Sequence, residues 1–293
     1  TLRYKSEKTQ EWGVNFQRVN ASIQEVSHWS PINRQFTVNR LISAGALTGV
    51  SPPLSQNIKF IPYFLTQRNS NLGDKVKTNA YESEGGFDGK VSIGSGLNLD
   101  LTYNTDFAQA EADEQQINLD RFSLFFPEKR AFFLENAGLF SVGDNSFGGS
   151  EVSMFFSRRI GLAGAGNQVP INGGARLTGT IANMRVGLLN MSTKPSQGRP
   201  SNEYQILRLK KELPNRSHIG AIATNLIKLD SEKYSNEVVA LDAKWGIGEV
   251  SQIDGYTAIS NTPNLDKEKA YAFRLQASST GKMFSNALSY TEI

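Results

Sequence analysis

The sequence contains no cysteine and only two histidines, His28 and His218, among its 293 residues. Without cysteine the chain has no disulfide bond, no thiolate nucleophile and no cysteine-based metal site. The two histidines lie far apart and outside any His-Glu-x-x-His spacing, and the Gly-x-Ser-x-Gly elbow of serine hydrolases is absent. We therefore predict no catalytic residue, no transition-metal centre and no cofactor.

Long apolar runs are also missing. No stretch of about 18 apolar residues is present, so the sequence predicts no spanning α-helix, and only a closed β-barrel could still cross a membrane. The mean hydropathy of −0.37 does not argue against a barrel, because a lipid-facing strand needs an apolar residue only at every second position. The 31 basic and 28 acidic residues form no basic stripe, so no nucleic-acid partner is predicted.

The dominant sequence pattern is a period of two. In residues 97–104 the apolar Leu97, Leu99, Leu101 and Tyr103 alternate with polar residues, which is typical of a strand with one apolar face. Similar segments separated by turn-forming clusters continue to the end of the chain, and almost everything after Gly173 fits a meander. The predicted fold is all-β, an antiparallel transmembrane β-barrel built as a meander. A soluble sandwich with an aromatic core is the alternative.

Residues 105–135 do not fit this pattern. An acidic stretch runs into a Phe-rich, charged one, and residues 107–117 have a spacing that permits a short helix. We predict an irregular inserted segment that enters the lumen or lies at the rim of the barrel.

Charged residues in and around this segment are the candidate site. Charged side chains at membrane depth must face the lumen, because an arginine on the lipid face at mid-bilayer costs about 2–4 kcal/mol. We predict a lumenal network that narrows or plugs the pore, and a network that only stiffens the wall is the alternative. Its members are Asp106, Glu111, Asp113, Glu114, Arg121, Glu128, Arg130, Glu135, Arg158, Arg159 and Arg176.

Two other chemistries use the same carboxylates. Asp106, Glu111, Asp113 and Glu114 offer the hard oxygen donors that Ca²⁺ prefers, although their spacing is not that of an EF-hand loop, and a solvated acidic segment is the simpler interpretation. A glycosidase needs two carboxylates across a cleft, and the sequence gives no separation between them.

A family resemblance rests on several motifs in this region. The motifs are residues 104–113, Asn118-Leu119, Arg121-Phe122, 126–130, 132–135, 156–161 and 173–179. In them the chain resembles an uncharacterised bacterial outer-membrane family. Members of that family join an N-terminal carbohydrate-binding module, similar to family nine of such modules, to a C-terminal β-barrel of unknown function.

The resemblance implies a division of the chain. Residues 11–18 are similar to the last strand of the module, so residues 1–35 are expected to be the end of a carbohydrate-binding-like sandwich or a linker. Residues 36–293 are expected to form the barrel region. The sequence departs from the family pattern at both ends, because most of the module is missing and the last residues lack the expected terminal aromatic. We therefore expect a fragment with an incomplete barrel, and no sugar-contacting residue is carried over.

The resemblance also implies location and partners. It places the chain in the outer membrane of a Gram-negative bacterium, in contact with outer-membrane lipid, with glycans or other small solutes as candidate ligands and other envelope proteins as candidate partners. Two alternatives stay open from the sequence: a soluble secreted β-rich glycan-active hydrolase, and a structural barrel scaffold that docks an envelope protein complex.

Overall fold

The structure is a computed structural model of the chain. It describes residues 9–34, 36–51, 58–70, 79–94, 96–104, 128–143, 152–161, 169–196, 200–229, 234–263, 270–281 and 283–293.

An eleven-stranded antiparallel sheet dominates the fold, and each of its strands pairs with the strand that follows it in the chain. This confirms the predicted all-β antiparallel meander. Among the described residues no ladder joins the first and last strands of the sheet, so the sheet is not closed. Its strands are β5 (Ile58–Ser70), β6 (Asn79–Ile93), β7 (Leu97–Tyr103), β8 (Ile171–Ile181), β9 (Met184–Thr193), β10 (Asn202–Leu213), β11 (Ser217–Lys228), β12 (Tyr234–Ile247), β13 (Ser251–Asn261), β14 (Tyr271–Thr280) and β15 (Ser285–Glu292).

Two small sheets precede it. Strand β1 (Gln10–Val14) pairs with β4 (Gly45–Val50), and β2 (Gln17–Asn20) pairs with β3 (Glu25–His28), all antiparallel. The β1–β4 ladder therefore joins residues on both sides of the predicted boundary at residue 35, and the boundary itself stays a prediction. A short 3₁₀ helix, Leu41–Ser43, precedes β4.

None of the helices in the described part of the chain combines the length and the apolar character that a membrane crossing requires.

The two ends of the large sheet differ in their connections. At one end, here called the turn end, successive strands are joined by no more than four residues, for example residues 94–96, 182–183 and 214–216. Ala182, Asn183, Asn215 and Arg216 all have positive φ, as the two central residues of a type I′ turn require. At the opposite loop end the connections are longer, and the longest spans residues 104–170 between β7 and β8. The irregular insertion thus extends well beyond the predicted limit at residue 135.

The covered face of the large sheet carries buried charged and polar side chains together with an apolar cluster, whereas the exposed face is largely apolar. Strand β7 shows this clearly: Asn98, Asp100 and Thr102 are buried, whereas Leu101 and Tyr103 are exposed. The same inverted alternation runs along β14, where Arg274 and Gln276 are buried between exposed apolar neighbours. A sheet in water normally shows the opposite arrangement.

On the exposed face, apolar side chains line up across the strands. One row of register partners crosses ten strands: Ile58, Val91, Leu99, Leu177, Leu188, Leu207, Ala223, Val239, Ile259 and Tyr271. The next row toward the loop end becomes polar from β9 onward, with Asn190, Gln205, Asn225, Glu237 and Asn261. The exposed face is therefore a band of apolar side chains with a polar border.

The covered face packs against part of the β7–β8 connection. We call residues 128–143 and 152–161 the covering segment. It contains one helical turn, α1 (Ala131–Leu134), and the short 3₁₀ helices Ala137–Leu139 and Ser157–Arg159. The large sheet is called the wall below. One buried cluster joins wall residues such as Met191 to Phe133, Leu139, Phe140 and Ile160 of the covering segment. The apolar core of the large sheet thus lies between the sheet and the covering segment.

Candidate functional site

Arg130 holds the covering segment together. Its guanidinium donates to both carboxylate oxygens of Glu128, Nε to Oε1 at 2.8 Å and Nη2 to Oε2 at 2.7 Å. It also donates to the backbone oxygens of Ile160 and Ser157, each at 2.7 Å, and it lies over the Phe133 ring. One side chain therefore ties the first part of the segment to the second, across 30 residues of sequence.

Glu128 is fixed in turn by several donors. Besides Arg130 it accepts the Ser157 hydroxyl at 2.8 Å and the backbone N–H of Arg130 at 3.0 Å. Burial raises the pKa of Glu128, but the hydrogen bonds and positive charge of Arg130, helped by Ser157, outweigh burial and hold that pKa below its ordinary value. Glu128 is thus a buried, charged and fully engaged carboxylate.

Arg176 of β8 joins the wall to the covering segment. On the wall it pairs with Asp100 of β7, with Nη2 and Nε at 2.8 and 3.1 Å from Oδ2. From the same guanidinium, Nη1 donates to the backbone oxygens of Phe132 and Glu135. Both Arg176 and Asp100 are almost completely buried. The arginine thus binds a buried carboxylate and two backbone carbonyls at once.

Lys90 of β6 extends this cluster. Its ammonium forms an ion pair with Glu135 and lies 3.8 Å from Asp100. The Glu135 carboxylate is 3.9 Å from Arg176. Two cations and two carboxylates therefore balance one another where the covering segment meets β6, β7 and β8.

Arg208 of β10 makes a second connection between the wall and the covering segment. It forms a bidentate pair with Asp242 of β12, with Nη2 2.8 Å from Oδ2, and its Nε donates to the Leu139 backbone oxygen at 3.2 Å. His218 Nε2 lies 3.4 Å from the same carboxylate. Side-chain exposure is 1% for Arg208 and 2% for Asp242, so the pair is shielded from water.

Two glycines make room for these contacts. A Cβ on Gly220 of β11 would lie 2.6 Å from both Arg208 Nη1 and Asp242 Oδ1, so any larger residue would force the ion pair to shift. A Cβ on Gly187 of β9 would lie 2.9 Å from Phe140 and 3.0 Å from Leu139. Gly187 is therefore the place where the covering segment sits directly on the wall.

A cavity of about 210 Å³ lies between the covering segment and the wall. Its lining is largely apolar, with Phe133, Phe140, Phe155 and Leu189, and Glu128 and Arg176 at its border. The packing between segment and wall is thus incomplete.

The structure places some of the predicted network residues and not others. Glu128, Arg130, Glu135 and Arg176 belong to the contacts just described. Arg158 is buried and Arg159 is exposed, both in the 3₁₀ helix Ser157–Arg159. The remaining residues lie outside the described part of the chain, and the Ca²⁺ option lies there with them: Asp106, Glu111, Asp113, Glu114 and Arg121. The described residues contain no group of three or more metal-ligating side chains.

Sequence reasoning missed five charged or titratable wall residues: Lys90, Asp100, Arg208, His218 and Asp242. A signal for three of them was present, because Asp100, Arg208 and Asp242 occupy alternate positions between apolar residues of predicted strands. Under the barrel interpretation that position predicts an inward side chain. Which residues pair could not be found this way, since Arg208 reaches past β11 to Asp242.

The chemistry of these groups is structural. The carboxylates of Asp100, Glu128 and Asp242 are each bound by an arginine at hydrogen-bond distance. A general acid or nucleophile needs a carboxylate that can exchange a proton or reach a substrate. These three instead compensate buried cations.

The first prediction concerns the buried pair. Asp242→Asn leaves Arg208 buried without its counter-charge, and breaking a buried pair in this way costs about 3–5 kcal/mol. We expect that loss in the free energy of unfolding measured by urea titration. The double variant with Arg208→Met should lose less than the sum of the two single variants. Simple additivity would contradict an energetic coupling between the two side chains.

The second prediction concerns pH. Because the folded-state pKa of Glu128 is lowered, its contribution to stability is full above the ordinary value of 4.5 and is lost as pH falls through the lower folded-state pKa. Glu128→Gln should reduce the free energy of unfolding at pH 7. It should also make that free energy fall less steeply as the pH is lowered in a pH series. Ser157→Ala removes one hydrogen-bond donor to Glu128, so its acid-side loss of unfolding free energy should lie between those of the unaltered protein and Glu128→Gln. An unchanged acid-side slope in Glu128→Gln would contradict the assignment.

Comparisons with known proteins reach only one part of the chain. Residues 52–191 match the model of a family described as Domain of unknown function (DUF5916). The match covers just under half of the sequence and includes β5–β8, most of β9, the covering segment and the Arg176 contacts, but not Arg208 or Asp242. No curated protein and no solved structure matches the chain. What the comparisons show is thus a likeness to this domain over residues 52–191.

Proposed function

We propose that the large sheet is part of the wall of a transmembrane β-barrel in the bacterial outer membrane, with the covering segment inside its lumen. The observation that carries the proposal is the inverted sheet, in which apolar side chains are exposed and charged side chains are buried. Outer-membrane barrels have this arrangement, with an apolar band toward lipid and a polar interior.

Lipid is energetically a better solvent than water for the exposed face. Leu241, Trp245, Ile259 and Leu288 are each more than half exposed, and each square ångström of apolar surface kept in water costs about 25 cal/mol. Soluble monomers seldom expose continuous apolar patches above a few hundred Å². An apolar row across ten strands is therefore unfavourable in water and favourable in a bilayer.

The unequal ends of the sheet suggest its orientation. Bacterial barrels have short periplasmic turns and longer extracellular loops, so the turn end corresponds to the periplasmic side. Strand β5 starts at the turn end, which puts residues 9–51 on the periplasmic side as well. In keeping with this, Arg40 donates to the backbone oxygen of Glu249 at the β12–β13 turn, at 3.1 Å.

In this proposal the covering segment determines what passes. It enters from the loop end and is held to the wall by Arg176 and Arg208, so it narrows the lumen. The proposed function is restricted passage or binding of small solutes, and glycans are the class that the family resemblance implies. A scaffold role in an envelope complex and a secreted hydrolase stay predictions, and no contact among the described residues favours either.

The third prediction tests the membrane-facing side. Leu241→Arg puts a cation in the apolar band and should cost about 2–4 kcal/mol at mid-bilayer depth. We expect a smaller fraction of outer-membrane protein with heat-modifiable migration in gels. Asn261→Arg, on the same face but in the polar border, is the matched control and should behave like the unaltered protein. Equal tolerance of both changes, or a protein that stays in solution without detergent, would overturn the proposal.

The fourth prediction tests the covering segment. Gly187→Leu fills the space of Phe140 and Leu139 and should displace the segment while β9 retains its pairing. Single-channel conductance in planar bilayers should rise. Ala175→Leu adds the same side chain to the exposed face and should leave conductance unchanged. If both variants are heat-modifiable and conduct alike, the covering segment does not restrict the pore.

A further inference from the structure

The exposed face carries an open groove near the turn end. Its volume is about 730 Å³, within the range of about 300–1,000 Å³ typical of ligand pockets. It exists because neighbouring strands place small residues next to one another. Ala243 of β12 is the register partner of Gly255 of β13, and Ala221 of β11 lies nearby.

The walls of the groove are apolar. They consist of larger side chains on the exposed face: Leu209, Ile219, Leu241, Trp245, Phe273 and Leu275. The groove offers hydrocarbon contacts over most of its length, so a flexible apolar chain fits it better than a sugar or an ion.

One cation borders the groove on the same face. Lys211 of β10 is the register partner of Ile219, and the row continues through Ala243 to Gly255. Lys211 is exposed, close to the turn end, and forms no ion pair with any described residue. A lysine at the edge of an apolar band keeps its stem on apolar surface and extends its ammonium to the polar boundary.

We propose that this groove binds one acyl chain of an anionic phospholipid, with the lipid phosphate paired to Lys211. The inference rests on the proposed function, because only a membrane-embedded sheet brings this face to lipid. Charge complementarity selects the occupant: an apolar trough bordered by an ammonium that no described carboxylate neutralises matches a molecule with a hydrocarbon chain and one negative headgroup. The position near the turn end corresponds to the periplasmic leaflet.

Retention of phosphatidylglycerol, measured by native mass spectrometry after detergent extraction from vesicles of phosphatidylglycerol and phosphatidylcholine, tests the proposal. The unaltered protein should retain phosphatidylglycerol preferentially, one molecule per chain. Lys211→Gln should lower that retention about fivefold, the effect expected of one lysine at an anionic lipid surface, whereas Lys211→Arg should preserve it. Ala243→Phe, which fills the groove, should abolish it.

Two controls separate the possible failures. Ala277→Phe adds the same ring to the exposed face outside the groove lining and should leave retention unchanged. Heat-modifiable migration of every variant reports insertion. If the unaltered protein does not insert, the proposed function and this inference both fail. If it inserts but Lys211→Gln and Ala243→Phe retain as much lipid as Ala277→Phe, only the lipid site fails. Masses of paired chains without lipid would show that a second copy covers the groove instead.

Discussion

Buried charge is the constraint on which the rest of the structure depends. The covered face places Asp100, Arg176, Arg208 and Asp242 away from water, and an isolated charge in such a place is costly. Each arginine meets a carboxylate on a neighbouring or next-neighbouring strand, and each has donors left over. Those donors point at backbone carbonyls of the covering segment. The position of that segment therefore follows from the need to complete the arginines' hydrogen bonds, as much as from apolar packing.

The same constraint explains the choice of small residues. Gly220 lies between Arg208 and Asp242, and Gly187 lies beneath Leu139 and Phe140. Glycine is unfavourable in the middle of a strand unless something approaches closely. At these two positions a charged pair and a loop approach from the covered face. On the exposed face, glycine is favoured at position 255 for a different reason, because a Cβ there would lie 2.5 Å from the Arg274 backbone oxygen.

Much of this fold could be predicted from the sequence, because the period of two is a local property. Leu97–Tyr103 and Tyr271–Ala277 alternate strictly, and both are strands with the expected faces. The covering segment was harder to predict: its conformation depends on Arg130 reaching Ser157 and Ile160, and no local pattern encodes a contact over that separation. Glu128, Arg130, Glu135 and Arg176 were selected by residue type and region alone. Arg208 and Asp242 lie far from residues 105–135, around which the candidate residues were selected. Their pairing depends on the register of three strands.

The order in which the chain can assemble follows from its connectivity. Nine of the ten ladders of the large sheet join strands separated by fewer than ten residues, so each of those hairpins can form with little loss of loop entropy. The contacts of the covering segment differ, since they reach forward to β9, β10 and, through Arg208, to Asp242 on β12. The binding surface for residues 128–143 does not exist until those later strands have paired. The connectivity therefore predicts that residues 128–143 dock onto the sheet late in folding, although they precede strands β8–β15 in the chain.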